Sequence, residues 1–395
     1  MAIDACIVGI GTSHAVGLEL GQTPLALQFE AFTASLEDAG LDKDLVDGII
    51  TARGAPSGVD YDEFVVAAGL NVRWVSQMWS HGRWTASALS QAALAVSAGV
   101  ADYVAVTNSH VSERGYGRHL TSLDNRLDES FRDGGGPYSG WAIHGSPGAG
   151  TGAALVTQQY MDRYGATPAD LAAVAVGHRL HAARNPFALL RDDPLTEADY
   201  LASPEILGPL RSPDICRMID GATSLIVTTS DRAAELDVPF VRIAGIEGIR
   251  ASRDNYVFFS RPGLGSGISA PSDYIAPDTS PVYEMAGVSR ADIDALYLYD
   301  PFAHMVWMVM ERWGFCKEGE AASYVRERGI GLDSPLPINT NGGLLAEGHL
   351  FGYGHLIEMT RQLRGTAGDR QVTDATVLQW ANAWGDSLIL TNQRG

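Results

Sequence analysis

Residues 339–349 read NTNGGLLAEGH, a stretch in which three glycines interrupt a mixture of polar and apolar side chains. Paired glycines are typical of loops, and we predict a loop at residues 342–354. A helix is predicted to follow at residues 355–364, and a strand at residues 375–380. The same order of loop, helix and strand occurs around residues 80–106, which indicates that the chain repeats one structural unit.

A second pair of segments supports this repeat. Residues 39–48 read AGLDKDLVDG and residues 286–295 read AGVSRADIDA, so a helix would end at each glycine and a strand would begin soon after it. The alternation of strands and helices over residues 5–106 indicates an α/β fold. A chain of 395 residues suits two domains. We therefore predict two similar halves, residues 1–235 and residues 236–395.

Two segments rich in glycine, proline and serine interrupt these halves. Residues 108–150 are predicted to form a loop insertion in the first half, and residues 250–280 a second one. Long loops inside compact enzymes often serve as lids or as walls of a binding site, and we expect that role for residues 108–150.

The charge excludes some classes of partner. The formal net charge is -19, from 28 basic and 47 acidic residues, which argues against nucleic acid and against adsorption to anionic lipid. A small anionic ligand can still bind through a few local donors. No apolar run is long enough to span a membrane, and the first residues lack the basic region of a signal peptide, so we expect a cytoplasmic protein.

Motifs for metals, disulfides and dinucleotides are weak. The three cysteines, Cys6, Cys216 and Cys316, are far apart and lack zinc-ligand spacing, so neither disulfides nor a metal site are expected. His178 and His181 have helical spacing, which a surface pair explains better than a metal site. The sequence Gly-x-Gly at residues 9–11 follows a strand, but His14 stands at the third glycine position of a dinucleotide fingerprint, which we therefore reject.

The chain resembles the thiolase superfamily over nearly its whole length, in particular sterol carrier protein x and the bacterial lipid-transfer-protein homologues. Residues 339–349 resemble the family pattern N-x-x-G-G-x-x-x-x-G-H. Residues 362–372 resemble the helix and turn that follow it, and residues 220–222 resemble the family's D-G-A. The resemblance implies the thiolase fold, an α/β fold in which two similar βαβ-rich halves form αβαβα layers.

One departure from the family pattern removes its nucleophile. The family places a reactive cysteine at the start of the helix before Ala101, where the unpaired N–H groups of the helix stabilise a thiolate. Gly82 occupies or adjoins this position, and residues 80–87 contain no cysteine. We therefore expect no acyl-enzyme intermediate. Ser80, Thr85 and Ser87 carry hydroxyls nearby, but a hydroxyl nucleophile needs an aligned base.

Two tyrosines mark the other departures. Tyr299 stands where the family has a histidine, and Tyr353 lies between two glycines shortly after the retained His349. The pattern resembles the aldolase subgroup, in which active-site tyrosines carry out proton transfer. We predict Tyr299 and Tyr353 as the proton-transfer pair, without assigning base and acid, and His349 as a donor or orienting group. Either tyrosine can alternatively be a packed core residue.

Further residues are predicted to contact the substrate. His81 and Gly82 flank the position of the missing nucleophile, and their backbone, together with that of Gly385, can supply N–H donors for an enolate. Asp300 and Asn341 belong to the same family motifs and are predicted substrate-binding residues as well, although Asp300 can instead orient the backbone. No metal is expected, and no cofactor other than the CoA that is part of the substrate.

The resemblance implies a carbon–carbon lyase that cleaves a β-hydroxyacyl-CoA by a retro-aldol reaction, with a steroid side-chain ester as a candidate substrate. It also implies a homodimer and a partner protein with an OB-fold and a zinc ribbon. Two alternatives remain: a non-catalytic binding subunit that kept the fold, and an acyl-CoA C-acyltransferase with an unusual nucleophile.

Overall fold

The computed structural model describes residues 3–14, 16–18, 20–54, 57–111, 149–250 and 279–392. Most of the two predicted loop insertions therefore lies outside the described residues. The predicted start of the first insertion was wrong, because the strand that precedes it continues to His110. The predicted end at residue 150 was wrong by two residues, since a helix begins at Ala149.

Regular secondary structure covers most of the described chain. The strands are β1 (Cys6–Thr12), β2 (Gly48–Gly54), β3 (Ser57–Gly58), β4 (Trp74–Trp79), β5 (Val104–His110), β6 (Glu205–Leu207), β7 (Leu210–Arg211), β8 (Gly221–Thr228), β9 (Val241–Glu247), β10 (Ala295–Tyr297), β11 (Val377–Ala381) and β12 (Ser387–Thr391). The α-helices are α1 (Pro24–Ala39), α2 (Tyr61–Ala68), α3 (Thr85–Ser97), α4 (Ala149–Tyr164), α5 (Pro168–Ala182), α6 (Glu197–Ala202), α7 (Ser230–Glu235), α8 (Pro281–Ala286), α9 (Met305–Arg312), α10 (Ala321–Arg328), α11 (Gly343–Ala346) and α12 (Tyr353–Arg364).

The main sheet repeats one pairing pattern on both sides of its centre. Its order is β10-β11-β12-β9-β1-β8-β5-β2-β3, with β4 beside β2. On one side, β1 pairs antiparallel with β8, β8 pairs antiparallel with β5, and β5 pairs parallel with β2. On the other side, β9 pairs antiparallel with β12, β12 pairs antiparallel with β11, and β11 pairs parallel with β10. This symmetry is the structural counterpart of the repeat in the sequence.

The two sides of the sheet meet at β1 and β9. The register joins Cys6 with Arg242 and Ile7 with Val241, in an antiparallel pair. The predicted boundary between residues 235 and 236 falls at the end of α7, just before β9. The exact division into two domains stays a prediction.

The packing arranges helices on both faces of the sheet. Helices α3 and α12 lie in the large core together with residues from both sides of the sheet. Helices α1 and α2 pack in a separate core with side chains of β1, β2 and β5. Small residues fill α3, whose sequence is TASALSQAALAVS, so it fits closely between neighbouring layers. No helix in the described ranges is long and apolar enough to cross a membrane.

The glycines of β1 explain the Gly-x-Gly pattern that resembled a dinucleotide fingerprint. A Cβ atom on Gly9 would lie 2.2 Å from the carbonyl oxygen of Ser35, and one on Gly11 would lie 2.1 Å from that of Ala31. Helix α1 therefore rests directly on the backbone of β1. The glycines permit close packing of helix on strand, not phosphate binding.

This contact leads to a stability prediction. We expect Gly11→Ala to lower the free energy of unfolding by about 1–3 kcal/mol, because the added methyl group must push α1 away from β1. Chemical denaturation followed by circular dichroism measures the change. Gly17→Ala is the matched control, since its Cβ would meet the Leu20 side chain at an ordinary 3.4 Å. Equal stability of the two variants would contradict the packing argument.

Candidate active site

The start of α3 has no side chain where a nucleophile would stand. Gly82 is buried and begins a 3₁₀ turn, Gly82–Trp84, that leads directly into α3. A Cβ atom on Gly82 would lie 2.0 Å from Cε2 and 2.1 Å from Cδ2 of Tyr299. The Tyr299 ring therefore occupies the space into which a side chain at position 82 would project. The glycine and the tyrosine are sterically matched to each other.

Tyr299 and His349 form a hydrogen-bonded pair beside Gly82. Tyr299 follows β10, and both side chains are 4% exposed. The phenol oxygen lies 2.9 Å from Nε2 of His349. Burial, together with a smaller effect of the neighbouring His110, lowers the pKa of His349 to about 3. His349 is thus a neutral imidazole at physiological pH, and it can accept or donate a hydrogen bond.

Aromatic rings surround this pair. The His81 ring centre lies 5.7 Å from that of Tyr299, and the Trp384 ring centre lies 6.1 Å from it. Nδ1 of His81 accepts a hydrogen bond from the backbone N–H of Arg83, so the proton of the neutral ring is on Nε2. Burial lowers the pKa of His81, and the charge of Arg83 adds to this effect. His81 therefore offers one N–H donor beside Tyr299.

His110 is a site residue that the sequence analysis missed. It ends β5, is fully buried, and donates from Nδ1 to the carbonyl oxygen of Ile219 over 2.8 Å. Its ring packs edge-on against Phe351, which packs in turn against His349. Burial lowers the pKa of His110. One feature of the sequence could have indicated His110: β5 ends in a run of polar residues and pairs parallel with β2. Functional side chains often lie at the ends of such strands.

Tyr353 lies at the start of α12, which is two residues longer at this end than predicted. The hydroxyl of Thr85 donates to the carbonyl oxygen of Phe351 over 2.5 Å and so joins the start of α3 to the segment that leads into α12. Tyr353 is 2% exposed, and burial raises its pKa well above the usual value. Within the described part of the chain, its hydroxyl has no hydrogen-bond partner. A buried phenol in this state is available to a ligand.

The structure shows which protein groups hold Asp300 and Asn341. Both residues are fully buried, and protein groups contact their side-chain atoms. Asp300 Oδ1 accepts a hydrogen bond from the Leu344 N–H, and Asn341 Oδ1 lies 3.0 Å from Nδ1 of His355. The substrate contacts expected of both residues stay predictions.

The sequence predicted that Gly385 supplies an enolate donor. Its backbone N–H instead donates to the carbonyl oxygen of Asn382 over 3.1 Å, in the turn between β11 and β12. Its positive φ of 91° allows the turn that presents Trp384 to Tyr299. Trp384, the residue beside this glycine, was not predicted from the sequence.

The remaining polar groups do not form a metal site. In the ranges that the structure describes, no three His, Cys, Asp or Glu side chains are arranged to hold a metal ion. His178 contacts Asp300, whereas Nε2 of His181 donates to the carbonyl oxygen of Ile330. The surface pair predicted for these histidines was wrong, because both are buried. Burial raises the pKa of Cys6 to about 12 and also raises those of Cys216 and Cys316, so all three thiols stay protonated.

The fold and the site together define a thiolase-type enzyme without the thiolase nucleophile, and comparisons with known proteins agree. Residues 278–389 match the Thiolase C-terminal domain-like family. The 17-hydroxy-3-oxo-4-pregnene-20-carboxyl-CoA lyase of Mycobacterium tuberculosis is 33% identical over 92% of each chain. The steroid side-chain-cleaving aldolase of Thermomonospora curvata is 30% identical, over 99% of this chain and 98% of the relative.

A solved aldolase structure also resembles this chain over its whole length. The Ltp2-ChsH2(DUF35) aldolase superposes with a TM-score of 0.80 and 28% identity, over 100% of this chain and 99% of the other. The chain belongs to the aldolase subgroup of the thiolase superfamily, whose members are carbon–carbon lyases. The predicted family and fold are confirmed.

The contact between Gly82 and Tyr299 gives a prediction about activity. We expect Gly82→Ala to reduce the aldolase kcat/KM by about 100-fold or more, because the methyl group displaces the Tyr299 ring by more than 1 Å. Steady-state kinetics measures the loss. Gly331→Ala is the control, since its added methyl group meets no atom within 4 Å. Wild-type activity in Gly82→Ala would show that the ring position is unimportant.

The buried His349 gives a prediction about pH. Its folded pKa of about 3 lies below the unfolded value of ~6.5, so at intermediate pH only the unfolded chain binds the proton. Its contribution to stability is therefore complete above pH ~6.5 and is lost as the pH falls toward ~3. We expect His349→Gln to reduce the slope of unfolding free energy against pH by about 1.4 kcal/mol per pH unit between about pH 4 and 6.

Urea denaturation across this range measures the slope. The exposed His14 provides the control variant, His14→Gln, which should leave the slope unchanged. An unchanged slope in His349→Gln would mean that the imidazole is protonated in the folded protein.

Proposed function

We propose that the protein cleaves a β-hydroxyacyl-CoA thioester by a retro-aldol reaction, releasing a ketone or an aldehyde and a shorter acyl-CoA. The observation that carries this proposal is the Tyr299 ring, which fills the nucleophile's space beside Gly82 and bonds to His349. The site lacks the thiol of the family pattern, and a phenol stands beside the retained imidazole. Such a site supports proton transfer and not acyl transfer.

The chemistry needs two proton transfers and one stabilised anion. A base removes the proton of the β-hydroxyl group, the Cα–Cβ bond breaks, and its electrons form the thioester enolate. The oxygen that loses its proton becomes the carbonyl of the released ketone or aldehyde. An acid then protonates Cα, which yields the shorter acyl-CoA without a covalent intermediate.

Tyr299 and Tyr353 are the groups that we propose for these transfers. A free phenol has a pKa of ~10 and is a weak base at neutral pH. The neutral His349 can accept a hydrogen bond from the Tyr299 phenol or, in the other tautomer, donate one to the phenolate. It therefore supports Tyr299 in both protonation states. Tyr353 is buried without a hydrogen-bond partner among the described residues, which leaves its hydroxyl for the substrate.

The enolate needs donors that are in place before the reaction. The His81 ring, which carries its proton on Nε2, is centred 5.7 Å from the Tyr299 ring, and the backbone N–H of Gly82 stands where the 3₁₀ turn and α3 begin. The start of a helix carries a partial positive charge, which favours an anion there. We therefore propose His81 and Gly82 as the enolate donors.

The substrate class follows from the relatives. Two relatives that match this chain over more than nine-tenths of its length are named for a pregnene carboxyl-CoA and for a steroid side chain. The aromatic walls that Phe351 and Trp384 provide suit an apolar acyl group. We propose a CoA ester of a steroid side chain as the substrate, with no cofactor beyond its CoA.

The partners are proposed on two observations. Strand β4 is an edge strand that pairs with β2 in the described sheet, and Trp79 at its end is 39% exposed, which suits a homodimer. The aldolase structure that superposes on this chain is named as a complex of Ltp2 with ChsH2(DUF35). We propose a corresponding partner protein here, with an OB-fold and a zinc ribbon.

The test is cleavage of a steroid β-hydroxyacyl-CoA by the protein with its partner, followed by mass spectrometry of the products and light scattering of the complex. We expect a ketone or an aldehyde, a shorter acyl-CoA and no acylated protein. We also expect Tyr299→Phe and Tyr353→Phe each to reduce kcat by about 100-fold or more, because each removes a proton-transfer group.

Tyr324→Phe, at a partly buried tyrosine of α10, is the control and should keep full activity. Full activity in both test variants would rule out these roles for the tyrosines. An acyl adduct would favour the acyltransferase alternative instead. Absence of cleavage with every partner and substrate would favour a non-catalytic subunit.

A further inference from the structure

Asp300, the residue after Tyr299, has a fully buried carboxylate that touches several separate segments of the chain. We propose that Asp300, held between His178 and His355, positions the Tyr299–His349 pair for proton transfer without touching the substrate. This inference rests on the proposed function and extends it to residues behind the site.

The first contact joins Asp300 to the segment that carries His349. Asp300 Oδ1 accepts a hydrogen bond of 3.0 Å from the backbone N–H of Leu344, in the first turn of α11. Helix α11 ends at Ala346, three residues before His349. The carboxylate therefore fixes the end of β10, which carries the phenol, against the segment that carries its imidazole partner.

The second contact joins Asp300 to α12. Nε2 of His355 lies 3.1 Å from Asp300 Oδ1, and Nδ1 of the same ring lies 3.0 Å from Asn341 Oδ1. The amide nitrogen of Asn341 donates to the Glu347 carboxylate, which sets the orientation of the amide. The imidazole is thus held at both nitrogens, two residues after Tyr353.

The third contact comes from α5, in the first half of the chain. Nδ1 of His178 donates to the carbonyl oxygen of Val174 over 2.9 Å, and its Nε2 lies 3.2 Å from Asp300 Oδ2. A Cβ atom on Gly343 would lie 2.1 Å from Asp300 Oδ2 and 2.3 Å from Cδ2 of His178. The glycine of the N-x-x-G-G pattern therefore makes room for the carboxylate and the imidazole.

Asp300 is ionised in this position. Burial by itself would raise its pKa, but the imidazoles of His178 and His355 outweigh burial and hold the pKa below its usual range. The charge also reaches the catalytic pair, because Asp300 raises and His355 lowers the pKa of His349. The cluster therefore acts on Tyr299 and His349 both by geometry and by electrostatics.

The test is a double-mutant cycle between Asp300→Asn and Tyr299→Phe, measured by single-turnover kinetics of the complex. We expect Asp300→Asn to reduce kcat by about 10- to 100-fold and to change KM by less than about twofold. In the Tyr299→Phe background the same change should alter the residual rate by less than about twofold, because its effect passes through the phenol.

Asp214→Asn is the matched control, since Asp214 is equally buried and accepts a hydrogen bond of 2.6 Å from the Tyr200 hydroxyl. Its effect should be the same in both backgrounds. Equal effects of Asp300→Asn in both backgrounds would assign Asp300 a purely structural role and overturn the inference. His355→Asn provides a second variant of the cluster if Asp300→Asn does not fold, with the same expected loss of effect in the Tyr299→Phe background.

A spectroscopic measurement separates this inference from the proposed function. In protein labelled with 3-fluorotyrosine, the ¹⁹F resonance that Tyr299→Phe removes should move in Asp300→Asn and stay in place in Asp214→Asn. This result needs no turnover. An unchanged chemical shift in Asp300→Asn would overturn the positioning role, even if the protein is an active aldolase. A changed chemical shift in a protein that cleaves no substrate would overturn only the proposed function.

Discussion

The absence of a side chain at Gly82 is the constraint on which the rest of the site depends. Because the residue is a glycine, the Tyr299 ring can lie against the start of α3, at the distance where a Cβ atom would overlap it. The phenol then reaches His349, and the rings of His81 and Trp384 complete its surroundings. One missing side chain and one added ring change the chemistry that the fold can support.

Burial decides the charge state of the site. His349, His81 and His110 lose the water that would stabilise their protonated forms, so each pKa falls and each ring is neutral. Asp300 is buried as deeply but keeps its charge, because two imidazoles contact its carboxylate oxygens. Neutral hydrogen-bonding groups therefore line the site, and an ion held by its own partners lies behind it.

The fold brings these groups together through its symmetry. Helices α3 and α12 occupy equivalent places in the two halves, and the Thr85 hydroxyl joins the start of α3 to the segment that leads into α12. Gly82 comes from the first half, whereas Tyr299 and His349 come from the second. The site forms where the halves meet, so neither half contains it alone.

Local patterns in the sequence determined the elements, the repeat and most of the residues that converge on the site. The alternation of strands and helices predicted the α/β fold, and Gly40 ended α1 as expected, since a left-handed cap suits glycine. Tyr299, Tyr353 and His349 were recognisable because they depart from, or match, a family pattern at set positions. These signals depend on near neighbours in the chain, so they can be read without coordinates.

Only the tertiary structure decided what each group does. The sequence could not show which distant groups hold the side chains of Asp300 and Asn341, or that the Gly385 N–H is used in a local turn. It also missed His110 and Trp384, which belong to the site through packing alone. Spacing along a chain predicts residue types at the ends of elements, whereas burial and contact between distant segments set their orientation, charge and role.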